Sequence, residues 1–358
     1  MLLGLINFTT YINSRMSVGS AMLAASGVQD AFLTGEPQVT WWASRYNRHT
    51  NFSHNVYSQL IHPAPQNNGT STITLSREGD LVDYLFLSVH DGTTSLKENY
   101  STLIQKVELM IGNNVVDTQD ATYTFNVAGG TEATTMAKGF LGLNGSQPVY
   151  IYPLRFWFCR DSEVSLPLML LHHHDVRIRV HWGTQATDSS RKWTLHGNYY
   201  HLDNFERDRI ASQGSDYLIT QVQTAIPSNN RIQQLVFNHP IKYIASSNTS
   251  TNALVSDTNR VRFIINGKEQ GPYLHSTPHY TQVSAYYHSA QSIANSNLFV
   301  KTFCLDTCQF QPTGTLNFSR LDNFMIQSET DNLTENIYAV NYNVLRIQDG
   351  MAGVVYAA

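Results

Sequence analysis

Charge is what this chain has least of. Charged side chains make up 14% of its 358 residues, against roughly 25% in ordinary soluble domains. A surface so poor in charge is expected to be covered by partners or by uncharged polar groups. The 23 Lys and Arg against 27 Asp and Glu leave a formal charge of −4, and no basic run occurs. Gripping phosphates needs clustered Lys and Arg, so direct nucleic-acid binding is not expected. Three cysteines, Cys159, Cys304 and Cys308, argue against a secreted disulfide scaffold and read as thiols. No window offers the ~20 apolar residues of a membrane span. The apolar start, Met1 to Ile6, is too short for a signal peptide and lacks its basic lead. These absences predict a soluble protein made in the cytosol. Catalytic signatures are missing too. Gly267-Lys268 lacks the leading glycine and following hydroxyl of a phosphate loop, and no Gly-x-Ser-x-Gly, His-Glu-x-x-His or Cys-x2-Cys pattern occurs. Neither catalytic residues nor a cofactor is expected, and the chain reads as a non-enzyme.

What the sequence does have is strand chemistry. Its 19 Tyr and 16 Phe accompany many Thr, Ser, Val and Ile, residues that suit a pleated, half-buried surface. Short alternating runs broken by Gly, Pro, Asn and Ser predict strands at 39–43, 55–61, 70–77, 81–89, 103–111, 149–158, 176–182 and 195–202. The second half offers 217–225, 231–237, 241–245, 260–265, 285–288, 298–305, 316–327 and 337–348. The length exceeds what one core usually supports. Eight strands per half with little helical periodicity predict an all-β chain of two consecutive eight-stranded antiparallel jelly rolls with few short helices. The expected boundaries are 1–29 for an N-terminal arm, 30–202 for the first jelly roll, 203–215 for an interdomain segment and 216–358 for the second. The charge-rich run Asp203 to Ile210 is the clearest helix, and Gly129 to Gly139 is a second candidate. No sequence repeat relates the halves. Long connections are expected at 113–147, 183–194, 246–259 and 267–295, where loops of this length usually carry function.

Several constellations invite a chemical reading. His172-His173-His174-Asp175 has metal-ligand residue types, with His181, His196 and His201 downstream. On a strand, however, His172 and His174 would share one face and His173 the other, so no metal site is assigned. Asp30 and Glu36 precede the first strand and suit hydrogen bonding to backbone amides. Arg320 and Asp322, two apart, are expected to pair on one strand face as a register or interface device. Trp41 and Trp42 must point to opposite faces, one into the first core and one toward a neighbouring domain or subunit. Eight Asn-x-Ser/Thr sequons, at Asn7, Asn51, Asn68, Asn99, Asn144, Asn248, Asn317 and Asn332, read as composition, with Asn317 expected inside a packed strand. Tyr-rich stretches such as His279-Tyr280 and Tyr286-Tyr287-His288 keep a rival open: a jelly-roll carbohydrate-binding or metal-dependent enzyme domain.

The most informative stretch is Pro312-Thr313-Gly314-Thr315-Leu316-Asn317-Phe318-Ser319-Arg320-Leu321-Asp322. Pro312 and Gly314 are turn chemistry. The segment closely resembles the P-[ST]-G-x-x-N-F-S-R-[LI]-D signature of the major capsid proteins of nucleocytoplasmic large double-stranded DNA viruses. Leu33-Thr34-Gly35-Glu36-Pro37-Gln38-Val39-Thr40, followed by Trp41-Trp42 and Tyr46-Asn47-Arg48-His49-Thr50, is similar to that family's opening pattern. Leu166-Pro167-Leu168 through Asp175-Val176 resembles its central stretch, with Asp175 where glutamate is usual. Asn341-Tyr342-Asn343-Val344-Leu345-Arg346-Ile347 and Gly350-Met351-Ala352-Gly353 resemble its C-terminus. The resemblance implies a structural virion protein that forms homotrimeric, pseudo-hexagonal capsomers tiling an icosahedral capsid, with the long loops as towers and subunit contacts. It implies minor capsid proteins as partners, an inner membrane nearby that the chain does not span, and assembly in the host cytoplasm. A minor capsid paralogue of the same fold is the alternative within the family.

Overall fold

Apolar and polar residues alternate along Val176–Trp182. Val176, Ile178, Val180 and Trp182 are buried, while Arg177, Arg179 and His181 stay half-exposed, the period-2 signature of a strand with one face on a core. The same logic runs through the chain. The computed structural model describes residues 35–36, 48–135, 137–138, 148–188, 191–212, 216–247, 253–289 and 297–356, and the architecture below is that of the unit from Asn51 onward.

The first eight principal strands are β1 (Phe52–Gln59), β2 (Thr70–Thr74), β3 (Leu81–His90), β4 (Ile104–Ile111), β5 (Asn114–Asp120), β6 (Ile151–Pro153), β7 (Val176–Trp182) and β8 (Lys192–Leu202). They pair antiparallel into two sheets, ordered β1-β8-β3-β6 and β2-β7-β4-β5. The helix Asn204–Ser212 follows. The next eight are β9 (Asp216–Ala225), β10 (Ile232–Gln234), β11 (Pro240–Ser247), β12 (Arg260–Ile265), β13 (Lys268–Glu269), β14 (Leu298–Thr302), β15 (Phe324–Ser328) and β16 (Ile337–Gln348). Their sheets run β9-β16-β11-β14 and β10-β15-β12-β13. Subtracting eight from each label reproduces the first pair of sheets. The chain is therefore a double jelly roll, one winding pattern used twice without a visible sequence repeat.

Each pair of sheets encloses its own core. The first is packed by Leu85, Leu87, Val107, Leu109, Ile178, Val180 and Leu195. The second is packed by Ile241, Ile244, Val261, Phe263, Phe299, Phe324, Ile326 and Ile337. Full burial of each such side chain stabilises by about 1.5–3 kcal/mol.

The structure corrects several expected elements. The run 316–327 is not one strand. Leu316–Asn317 pairs with β11, Phe318–Arg320 forms a 3-10 turn, and only then does β15 begin. Ala285–His288 belongs to a short helix, Ser284–His288, continuing the helical turns from Ser276. Of 149–158 only Ile151–Pro153 is strand, and Trp157–Cys159 is a 3-10 turn. Most of the expected connection 113–147 is described, and it opens with β5, then continues into helical turns over Tyr123–Thr131. The strand expected at 39–43 lies outside the described residues.

Candidate functional site

The motif segment acts through its backbone and short polar side chains. Gly314 has φ +134°, and a Cβ there would lie 3.0 Å from the Phe303 carbonyl oxygen. Thr313 Oγ1 accepts the Asp306 N–H at 3.2 Å, tying the turn to the 303–308 loop, while Pro312 is exposed. Asn317 is half-buried at the end of the two-residue strand paired with β11, and it caps the 3-10 turn by accepting the Ser319 N–H at 3.1 Å. Phe318 is buried against Phe237, Phe303 and Phe324, with ring centroids 6.1, 5.9 and 4.6 Å away.

Ser319 Oγ accepts the His239 N–H at 2.8 Å, and the Phe318 N–H donates to the His239 carbonyl at 3.1 Å. His239 has φ +68°, a conformation that costs a non-glycine residue of order 1–3 kcal/mol unless its surroundings hold it. The Phe318-Ser319 pair thus pins the chain where it enters β11. Arg320 and Asp322 are both exposed and form no ion pair with each other. The expected half-buried pair fails because the 3-10 turn breaks the alternation that would have aligned them.

The second matched segment lies where the halves meet. Asn341 is fully buried on β16, and its Oδ1 accepts Gln223 Nε2 at 2.9 Å. Asn343 Nδ2 donates to Gln221 Oε1 and to the Tyr356 carbonyl, both at 2.8 Å. Gln221 in turn donates from Nε2 to the Val116 carbonyl on β5 at 2.5 Å. A ladder of amides therefore crosses from β16 through β9 to the first half. One step away, the Val222 N–H donates to Asp117 Oδ1 at 2.9 Å, and Gln119 Nε2 donates to Asp117 Oδ2 at 2.8 Å. Burial lifts the Asp117 carboxyl to about 7 against the pull of these donors. Tyr338 OH donates to Asp120 Oδ2 at 2.7 Å.

Beside this ladder lies a buried charged cluster. Arg160 and Glu132, each about 4% exposed at the side chain, stand 3.5 Å apart. Arg160 also donates to the Cys308 carbonyl at 3.1 Å, and Tyr243 OH donates to Glu132 Oε1 at 3.0 Å. Lys242 is wholly buried. Its Nζ donates to the carbonyls of Thr307 at 2.7 Å and Gln309 at 2.6 Å. Burial and then the nearby Arg160 charge pull the Lys242 ammonium down to about 8. Tyr342, between Asn341 and Asn343, presents its ring to Lys242 at 5.9 Å. Cys304 and Cys308 are buried and not joined in a disulfide, and burial pushes the Cys304 thiol up. The contacts of the cluster cross between the two halves and so tie them together, while Arg160 Nε and Tyr342 OH stay buried without a hydrogen-bond partner among the described residues. No pair in it stands as nucleophile and base.

The histidine run is used in the same way. Its chain bends instead of running as a strand. The His173 N–H donates to the Gly350 carbonyl at 2.9 Å, and His174 Nδ1 lies 3.2 Å from the Ala352 N, oriented to accept its hydrogen. His181 meets Glu108 at 3.2 Å, and His196 meets Ser88 Oγ at 3.1 Å. Among the described residues no three His, Cys, Asp or Glu side chains gather as a metal set. Gly35 lies at an exposed bend; Asp30, Thr34, Pro37, Trp41 and Trp42 lie outside the described residues. Sequence reasoning missed Asp117, Glu132, Arg160 and Lys242, since lone charges in apolar surroundings carry no spacing signature.

Residues 206–353 match the family described as large eukaryotic DNA virus major capsid protein, and residues 40–218 match the major capsid protein N-terminus. The chain belongs to the major capsid proteins of large eukaryotic DNA viruses. It is 33% identical to the major capsid protein of Pyramimonas orientalis virus over 96% of this chain and all of that one. The major capsid protein of Paramecium bursaria Chlorella virus 1 is 27% identical with the same coverage. In structure, the chain superposes on the quasi-atomic capsid of that Chlorella virus with a TM-score of 0.73 at 23% identity, covering 89% of this chain and 100% of that one. The Faustovirus major capsid protein gives 0.65 at 12% identity, with 90% and 94% covered. As a capsid protein the chain is a component of the virion shell.

Proposed function

We propose that this capsid protein trimerises into a pseudo-hexagonal capsomer and tiles an icosahedral shell as its major component, with no catalytic role. The carrying observation is the repeated winding pattern. Two like jelly rolls per chain and three chains per ring give six roughly equivalent edges, the shape that packs a flat facet. In this reading residues 30–202 and 216–358 are the two jelly rolls, 203–215 lies between them, and 1–29 is an arm toward inner partners. Trimer formation is the strong step, burying large areas between chains. Lateral packing is weaker per contact and summed over many contacts. Minor capsid proteins and an inner membrane guide it in the host cytoplasm, without direct contact to nucleic acid. The test is the solution mass of the purified protein by light scattering over a range of concentrations. A concentration-independent trimer supports the reading, and a persistent monomer refutes it.

A further inference from the structure

The second jelly roll carries a cation on a wall that the first lines with uncharged groups. Phe299 and Lys301, two apart on β14, point to one side of the strand, and Phe299 is packed in the second core. On β6, the equivalent strand of the first half, the residues turned to the core are Tyr152 and, just past its end, Leu154. The half-buried Lys301 ammonium rests against two rings, with Nζ 5.8 Å from the centroid of Phe263 and 5.9 Å from that of Phe303. Burial holds its pKa below the usual lysine value. Among the described residues no Asp or Glu forms an ion pair with Lys301, and Asp30 is the one carboxylate of the chain outside them. A buried cation without a counter-charge is costly, and ring faces offset only part of that cost.

Lys301 lines a cleft of about 310 Å³ bounded by β14, the 303–305 loop and the helical turns from Ser276 to His288. The same lining holds two further basic side chains, His279 and His288, with the hydroxyls of Tyr280 and Thr302, and no carboxylate among its described residues. His288 Nδ1 donates to the Leu305 carbonyl at 3.1 Å, tying the last helical turn to the loop. The His279 ring stands edge-on to Tyr280, with centroids 4.7 Å apart. Burial, and then the Lys301 charge, lower the His279 pKa. Basic groups placed side by side disfavour each other's charged form, and an anion beside them relieves both.

We infer that this cleft is a binding site for an oxyanion, phosphate or carboxylate, with Lys301 as its charge partner and His279 as a second donor. Ammonium and imidazole donors make charge-assisted hydrogen bonds to such oxygens, and the Tyr280 and Thr302 hydroxyls add neutral ones. A bound anion bridges β14 and the helical turns of the connection that precedes it, stiffening one end of the second barrel. The site lies within one chain and does not depend on how copies of the chain assemble.

The test uses the full chain. Inorganic phosphate and, in parallel, acetate are titrated by calorimetry at fixed ionic strength into the wild type and into Lys301→Met. Methionine keeps an unbranched apolar stem on a wall whose first-half equivalent is uncharged, so the fold is retained. The wild type is expected to bind a single anion per chain, and the tighter of the two probes names the class. Lys301→Met should bind it about ten-fold more weakly or not at all, the loss of one charge-assisted hydrogen bond. A wild type that binds neither probe overturns the site. Binding that Lys301→Met leaves unchanged marks an adventitious ion only and overturns it as well. If Lys301→Met fails to fold, hydrogen exchange on the wild type decides. The anion should slow exchange across 276–288 and 298–305, and unchanged exchange there overturns the assignment.

Discussion

Replacing Gly314 by valine tests whether the motif turn is as constrained as its geometry says. Two penalties add. A side chain at φ +134° occupies a backbone region reserved for glycine, at about 1–3 kcal/mol. Its Cβ would also stand 3.0 Å from the Phe303 carbonyl oxygen and 3.4 Å from Cys304 Cα. Both are backbone atoms that cannot rotate aside, and overpacking of this kind costs about 1–3 kcal/mol. The sum is about 2–6 kcal/mol, partly offset by about 0.4–1 kcal/mol from a stiffer unfolded chain. For a unit of this size each kcal/mol moves the melting temperature by roughly 2–4 °C, so a drop on the order of 10 °C is expected. Gly267→Ala is the internal control. Gly267 has φ +77° with nothing within 4 Å of its Cβ position, so only the backbone term applies, about 1–2 kcal/mol. Thermal unfolding followed by circular dichroism reads both variants. A Gly314→Val protein that melts with the wild type, or no lower than Gly267→Ala, would refute the reasoning.

Other expectations concern the lock between the halves. Asp117 has its folded value raised to about 7 from 3.8, so its contribution to stability is fully present below about pH 4 and is lost as the pH rises through 7. Asp117→Asn should therefore flatten the stability profile between pH 4 and 7 in urea titrations, and an unchanged slope would contradict the assignment. Arg160→Met leaves Glu132 buried without its cation and should cost about 3–5 kcal/mol. Adding Glu132→Gln should recover part of that loss, and additive losses in the double-mutant cycle would argue against a coupled pair. Lys242→Met strips a donor from the Thr307 and Gln309 carbonyls and should destabilise by about 1–3 kcal/mol for each group left unpaired. Faster hydrogen exchange around 304–309 would locate the effect there.

Where alternation is clean, the strands could be read directly: 176–182 and 260–265 were expected with the bounds the structure has, as was 337–348, whose first seven residues are all buried. β5 escaped because its buried positions include Asp117 and Gln119. It faces a polar seam, so the hydrophobic pattern that marks a strand is missing. The Leu316 run misled in the opposite direction. Its alternation looks like a strand, but the Asn317 side chain competes for the backbone and starts a 3-10 turn, as short polar residues do at caps. Eight strands per half were enough to expect two jelly rolls, but which strands pair could not be read, because the two halves meet the same pairing pattern with different side chains. The resemblance located the Asn341-Tyr342-Asn343 segment, yet its amide ladder shows only once Gln221 and Val116 are brought alongside.

The last hairpin of the chain has a consequence for how the protein is made. Ile347 and Ala352 belong to the core of the first half, and the backbone of Gly350 is held by His173. The first jelly roll thus borrows apolar residues from a segment that follows the second. Contacts of such long sequence separation close slowly. The first core is completed only once Ile347 and Ala352 have been made, and a chain truncated before Gly350 would carry an open core and the aggregation hazard that goes with one. The two halves are therefore independent in winding but not in folding.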